Sequence, residues 1–308
     1  MNAPVDHRRL DQARGTAMAF LLESEGFCVA RNVVPAGLIS RINARLDRDF
    51  RETPFCQGNF YGERTKRFGR AIVRSPDVVQ LVLAPVIQTL VARVLGSYCD
   101  TVQLNVAQAI EVHPGALAQF PHRDQDMWPD ARGSHEYLIN VIWPLSPFTT
   151  ENGATLIWPD SHGDNALRDE PPSGPVAATS QPGDAIIFLG STLHAAGANR
   201  TSDMRRAIVI GYSLGWLKPY ENPWLAYPPE VARSFTPELA SLAGYRQHRP
   251  NLGNFEGQCP SILLDECVHA RLPAIDALRP EQVAALADYV RGQREEEDPA
   301  GTAAAPPR

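Results

Sequence analysis

The chain has 308 residues, 44 % of them hydrophobic, enough for one large, well-filled core. A formal charge of −6 gives no electrostatic reason to meet a phosphate backbone or an anionic bilayer, and no stretch approaches the roughly 20 apolar residues of a membrane span, so neither nucleic acid nor a membrane is expected as a partner. Five cysteines (Cys28, Cys56, Cys99, Cys259, Cys267), odd in number and without a Cys-x-x-Cys pair, read as reduced thiols rather than a disulfide framework or zinc site. With no apolar run behind the charged start Met1 to Gly15 to act as a signal peptide, a cytoplasmic setting is expected.

In chain order, helical spacing of apolar residues runs through Ala17, Met18, Phe20, Leu21, Leu22 and Phe27, and again through Ala36, Leu38, Ile39, Ile42, Leu46 and Phe50. A short strand is expected between them, around Cys28 to Val34. Leu81 to Leu95 reads as helical on both sides of Pro85, whose ring starts or kinks a second segment. Residues 1–100 are thus expected to be largely helical scaffold.

From Thr101 the texture changes to short runs of Val, Ile, Leu, Phe and Trp between Pro, Gly, Asn and Asp clusters. Strands are expected at Thr101 to Val112, Leu138 to Trp143, Ala154 to Trp158, Ala185 to Leu189 and Arg205 to Leu214. Such strands indicate a sandwich, jelly roll or barrel over about 101–216, giving a mainly β fold with flanking helices. The Gly-rich fingerprints of nucleotide phosphate sites are absent. After Pro228 a helical part is expected to about 294, closing a single domain over 1–294, and EEEDPAGTAAAPPR, 295–308, reads as a disordered tail.

The segment AQFPHRDQDMWPD, 118–130, places His122 and Asp124 two residues apart. In an extended backbone both side chains share a face while Arg123 points away. His194, after the apolar run in GDAIIFLGSTLH, is the best third ligand. Two imidazoles and one carboxylate leave open positions on a metal, the arrangement of non-haem Fe(II) oxygenases, whereas zinc favours a nearly closed tetrahedron. His-x-Asp alone is a weak signal, and a second copy occurs at His162 and Asp164, but in a turn, WPDSHGDN, that offers no shared strand face. Arg205 opens the strand RRAIVIGYSL, and its planar fork suits a bidentate carboxylate such as the distal one of 2-oxoglutarate. A register slip of one residue would put Arg206 there instead.

With these residues in place, QFPHRDQD, ENGATLIWPDSH, PGDAIIF, LHAAGANRTSDMRRAIVIGY and GWLKPYEN together resemble the phytanoyl-CoA dioxygenase family of Fe(II)/2-oxoglutarate oxygenases. The resemblance covers about 119–222 and, more loosely, GERTKRFGRAI in the helical half. It implies a double-stranded β-helix (jelly-roll, cupin-like) core, iron on His122, Asp124 and His194, and Arg205 on the C5 carboxylate of 2-oxoglutarate. It also implies oxoacid contacts from Gln119, Thr155 and, out of the helical part, Arg67. The chemistry implied is oxidation of a small organic molecule by Fe(II), 2-oxoglutarate and O2: hydroxylation, or desaturation, ring formation or rearrangement. Halogenation is disfavoured because Asp124 fills the position that halogenating relatives leave open.

Six aromatic residues (Phe60, Tyr61, Phe120, Trp128, Trp216, Tyr220) border the motifs, and about two are expected to touch substrate. GERTKRFGRAI with GWLKPYEN looks closest to members that tailor microbial or fungal secondary metabolites. The alternatives are an acyl-CoA or amino-acid hydroxylase of primary metabolism, a cupin-like metal isomerase, lyase or hydrolase without oxoacid, or a non-catalytic sensing module. A patch from Arg64, Lys66, Arg67 and Arg70 would serve the phosphates of an acyl-CoA. A homodimer is left open.

Overall fold

The structure is a computed structural model and describes residues 7–129, 132–133, 135–265 and 271–297. Its first part runs α1 (His7–Glu25), β1 (Phe27–Ala30), α2 (Ala36–Glu52), β2 (Thr65–Phe68), α3 (Ala71–Arg74), α4 (Val78–Val82) and α5 (Pro85–Leu95). Gly26, at φ 79°, ends α1 in the left-handed conformation that glycine adopts without strain and turns the chain into β1. Leu38, Ile39, Ile42, Leu46 and Phe50 form the buried stripe of α2. Pro85 stands at the first helical position of α5, where its missing N–H costs nothing. Phe27, expected at the end of the first helical run, opens β1, which stops at Ala30, short of the expected Val34. Two further details differ from the sequence expectation. Helix α1 starts at His7, well before its apolar stripe, and TKRF is a strand, not part of a helical scaffold. Edge pairing with the long next strand, which matches Arg67 to Ile110, decides the second case.

The β core follows: β3 (Val102–Val112), β4 (Leu138–Pro144), β5 (Thr155–Ile157), β6 (Val176–Ala177), β7 (Ala185–Leu189), β8 (His194–Ala196) and β9 (Arg205–Leu214). All five expected strands are present. Among the described residues they pair antiparallel as one sheet of order β1-β7-β4-β9-β3-β2 and a smaller one of order β6-β5-β8. This is a mainly β, jelly-roll core with flanking helices.

Alternation along the large sheet sorts its side chains into two faces. Ile139, Val141 and Trp143 of β4, Ile187 and Leu189 of β7, and Ile208, Ile210 and Tyr212 of β9 join the core shared with α1, α2 and α5. Ile142, Ile186, Phe188 and Ala207 turn to the other face and pack with Phe148, Ala154 and Ile157 of the small-sheet side. The register of β3 on β9 shifts between Leu104 and Val106. That bulge brings Asn105 to the same cavity as Val106.

The C-terminal part carries α6 (Pro223–Ala226), α7 (Pro229–Ala232), α8 (Pro237–Leu242) and α9 (Pro280–Glu297). Between α8 and α9 the described chain has only a 3-10 turn, Pro260–Leu264, so the stretch after Pro228 is helical in part. Helix α9 runs through Glu295 to Glu297, where a disordered tail was expected; 298–308 lie outside the described residues, as does Cys267.

Candidate metal centre

His122 and His194 face each other as a hydrogen-bonded antiparallel pair: each backbone N–H donates to the other's carbonyl at 3.0 Å. Strand β8 carries His194, and the extended segment before a 3-10 turn, Asp124–Met127, carries His122. The pairing sets the imidazole rings 4.4 Å apart. Arg123 is extended, φ −115° and ψ 124°, so Asp124 returns to the face of His122. His122 Nε2 lies 3.3 Å from Asp124 Oδ1, and His194 Nε2 lies 3.6 Å from Asp124 Oδ2. Among the described residues this is the single cluster of three or more His, Cys, Asp or Glu side chains whose ligand atoms come together, within 4.8 Å. His162 is elsewhere, its Nε2 on the carbonyl of Glu23 at 3.0 Å.

The other ring nitrogens fix the tautomers. His122 Nδ1 donates to the carbonyl of Phe120 at 2.9 Å and His194 Nδ1 to that of Thr192 at 3.1 Å. A carbonyl only accepts, so Nδ1 carries a hydrogen in both rings, and the neutral form of each would turn its Nε2 lone pair toward Asp124. Burial pushes the His194 imidazole down, against the pull of the Asp124 charge, to about 4. For His122 burial also lowers, but the hydrogen bond and charge of Asp124 outweigh it and raise the group above its ordinary value. Burial alone would raise the Asp124 carboxyl, yet the charges of His194, His122 and Arg67 hold it below the usual carboxylate range.

All seven sequence-predicted site residues line one cavity of about 470 Å³: His122, Asp124, His194, Arg205, Gln119, Thr155 and Arg67. Arg205 is buried, its Cζ 4.4 Å from the Phe148 ring centre, and its Nε has no partner. Burial, and then the charge of Arg67, pull its guanidinium down to about 9, so it stays cationic at neutral pH. Arg206 points the opposite way, its Nε on Glu111 at 2.6 Å and its guanidinium on Asp47 at 3.1 Å. Arg67 reaches the cavity from β2 and lies over the Tyr61 ring at 4.9 Å, its Nε also unpartnered. The Gln119 backbone N–H donates to Ala196 at 2.9 Å, and its side-chain oxygen accepts from Ala196 at 3.3 Å. Thr155 sits opposite Ala196 on β5.

Of the six aromatic candidates, Phe60, Tyr61 and Tyr220 line the cavity. Phe60 packs edge-on to His122 at 4.8 Å, and the Tyr61 and Tyr220 hydroxyls meet at 2.5 Å. Phe120 is 74 % exposed, and the indoles of Trp128 and Trp216 donate to the carbonyls of Lys218 and Tyr98. Asn140 was not picked out from the sequence, although an amide inside the apolar run LINVIWP is a readable signal; its Nδ2 donates to Asp124 Oδ2 at 2.8 Å.

The donor set fits the group it implies. Two neutral imidazoles and a carboxylate suit a divalent iron with open positions. The buried Arg205 guanidinium and the half-buried one of Arg67, each with an unpaired Nε, are costly unless carboxylate oxygens meet them, which suits a dicarboxylic oxoacid.

A family model, phytanoyl-CoA dioxygenase (PhyH), matches residues 22–207. The multifunctional dioxygenase prhA of Penicillium brasilianum is 30 % identical over 79 % of this chain and 88 % of its own. The dioxygenase aneA of Aspergillus aculeatus is 29 % identical over 73 % of this chain and 81 % of its own. The epimerase SnoN from nogalamycin biosynthesis, non-haem and α-ketoglutarate dependent, shares the fold at a TM-score of 0.56, 21 % identity and coverage of 66 % of this chain and 84 % of that one. HygX from Streptomyces hygroscopicus, solved with nickel, 2-oxoglutarate and hygromycin B, shares it at 0.53 and 14 % identity over 67 % of this chain and 89 % of that one. The chain belongs to the phytanoyl-CoA dioxygenase family and is a 2-oxoglutarate-dependent non-haem iron dioxygenase.

Proposed function

We propose that His122, Asp124 and His194 hold Fe(II), that Arg205 receives the C5 carboxylate of 2-oxoglutarate, and that the enzyme oxidises a small secondary metabolite in the cytosol. The reading rests on one observation: the triad and a buried arginine with an unpaired Nε open into the same cavity. Its volume of about 470 Å³ lies within the roughly 300–1,000 Å³ of small-molecule sites. Relatives that are dioxygenases of fungi, and a fold shared with an epimerase of nogalamycin biosynthesis, support a tailoring role.

When bound, iron with the oxoacid and dioxygen supplies the oxidising power that no side chain has. The residues do the rest. His122 and His194 offer Nε2 lone pairs because Phe120 and Thr192 hold Nδ1–H. Asp124 stays ionised between them. Arg205, with Phe148 against its guanidinium, fixes one end of the oxoacid, and Arg67, Gln119 and Thr155 border its path to the metal. Ile142, Val209 and Phe188 line the same space and keep it dry around the reacting C–H bond.

The four basic residues proposed for an acyl-CoA divide, Arg64 and Arg67 lining the cavity and Lys66 and Arg70 tied to backbone carbonyls, which weighs against one four-residue patch. Lys66 donates to the carbonyl of Phe50 at 2.8 Å and Arg70 to that of Ala226 at 3.0 Å, while Arg67 faces the cavity. The deciding experiment measures succinate release with Fe(II) and candidate substrates for wild type and Asp124→Ala. Turnover in wild type with complete loss of activity and weakened iron binding in the variant is expected; equal activity of the two would refute the ligand assignment.

A further inference from the structure

Asn140 is the one polar side chain in β4, whose sequence is otherwise apolar and which is buried along its whole length. Its Nδ2 stands 2.8 Å from Asp124 Oδ2. An ionised carboxylate can only accept, so the atom facing it is the amide NH2 and not the amide oxygen. Asp124 Oδ1 is turned away from this bond, toward His122 Nε2 at 3.3 Å. The neighbours of Asn140 across the sheet are Phe188 on β7 and Gly211 on β9. A Cβ at Gly211 would come within 3.2 Å of Asn140 Oδ1 and of Val106 Cγ1, so the missing side chain gives the amide its room.

We propose that Asn140 sets how Asp124 binds iron: by engaging Oδ2 it leaves a single oxygen, Oδ1, to the metal. The inference rests on the ligand reading above and deepens it. Iron held here would take one atom from each of three protein ligands and would need its remaining positions for the oxoacid and dioxygen. A carboxylate that ligated through both oxygens would take a position that the oxoacid or dioxygen needs. Nothing in the triad itself prevents this, because Oδ2 also lies near a ligand atom, 3.6 Å from His194 Nε2. The amide competes with the metal for that oxygen. Asn140 is therefore a positioning residue: it acts on the oxoacid through the binding mode of Asp124 and need not touch either substrate.

The test titrates Co(II) and then 2-oxoglutarate, without oxygen, into wild type and Asn140→Leu, a change that keeps the side-chain shape and removes the donor. Calorimetry gives both affinities, the visible absorption of Co(II) gives the change in coordination, and melting curves check the fold. Should Asn140→Leu fail to fold, Asn140→Ser, too short to reach Oδ2, is measured in its place. The variant is expected to hold Co(II) within about threefold of wild type, to lose about tenfold or more in 2-oxoglutarate affinity, and to show an altered Co(II) spectrum. An oxoacid affinity within about twofold of wild type overturns the proposal, as do Co(II) and oxoacid affinities that fall by the same factor. His194→Ala is the control for the underlying reading: if it binds Co(II) as wild type does, the ligand assignment itself fails, whatever Asn140 does.

Discussion

Arg205 is 5 % exposed, forms no ion pair among the described residues, and is held by an aromatic ring rather than an acid. A buried cation of this kind is left uncompensated until a carboxylate arrives, so its removal should act on oxoacid binding first. Truncating one partner of a buried charge pair costs about 2–5 kcal/mol, and the low end alone is roughly a 30-fold loss. Arg205→Ala is therefore expected to raise the KM for 2-oxoglutarate about 30-fold or more while kcat at saturation falls much less, read by succinate release. Arg205→Lys should recover only part, since an ammonium lacks the planar fork. An unchanged KM would remove Arg205 from the site. The imidazoles make a second prediction. His194, at about 4, is already neutral across the neutral range, and Asp124 is already ionised, so His122, whose group is raised, is the ligand that must lose a proton to bind metal. Affinity for Mn(II) should then fall by about one log unit per pH unit on the acid side of the His122 pKa, with about one proton released per ion. A flat profile through that range would contradict the assignment of His122.

Strands expose what a sequence pattern can and cannot carry. Apolar runs such as LINVIWP and AIIFL are buried over their whole length and were readable as strands. Strand β8 is three residues long, too short for a period, and β2 is TKRF, which has the composition of a solvated helix end. Both become strands through partners distant in sequence, β5 for one and β3 for the other. The face of each residue is legible once a strand is known, as Arg205 and Arg206 show by pointing to opposite sides. The bond from Asn140 to Asp124 was not legible, because it depends on where a loop returns over the sheet. The Gly-Asp pair before β7, part of the PGDAIIF match, is a local device. Asp184 is 3 % exposed and accepts from the backbone N–H groups of Asn32 and Gln181, each at 2.9 Å, and from Arg31 at 2.8 Å. Burial would raise its carboxyl, but these donors outweigh it and the group is lowered. A lowered folded-state value means stability that is fully present above the ordinary carboxylate pKa and is lost as pH falls through the folded one. Asp184→Ala is expected to cost about 2–3 kcal/mol at neutral pH, a melting point lower by roughly 5 °C. The gap to wild type should shrink steadily as the melts are repeated below about pH 4. A gap that stays constant into acid would mean that the carboxylate charge contributes nothing to the turn.

Charge over the whole chain runs opposite to charge at the site. The formal charge is −6, yet the cavity holds Arg67 and Arg205 with unpaired Nε atoms, so two cations line the place that a dicarboxylate would fill. That interior is built from the two sheets and the helices packed on the larger one, and α9 has no part in it. No residue of α9 from Pro280 to Glu296 is buried, although Val283, Leu286 and Tyr289 would be natural packing residues. An isolated helix of this length is marginal in water, so the remainder of the chain gains little from it. Ending the chain after Arg279 is therefore expected to leave the melting temperature within about 2 °C of the full chain and the affinities for Co(II) and 2-oxoglutarate unchanged. Circular dichroism melts and the titrations described for Asn140 make the measurement. A fall of about 5 °C or more, or a concentration-dependent melting point that the truncation abolishes, would show instead that α9 packs against a surface that this single chain does not supply.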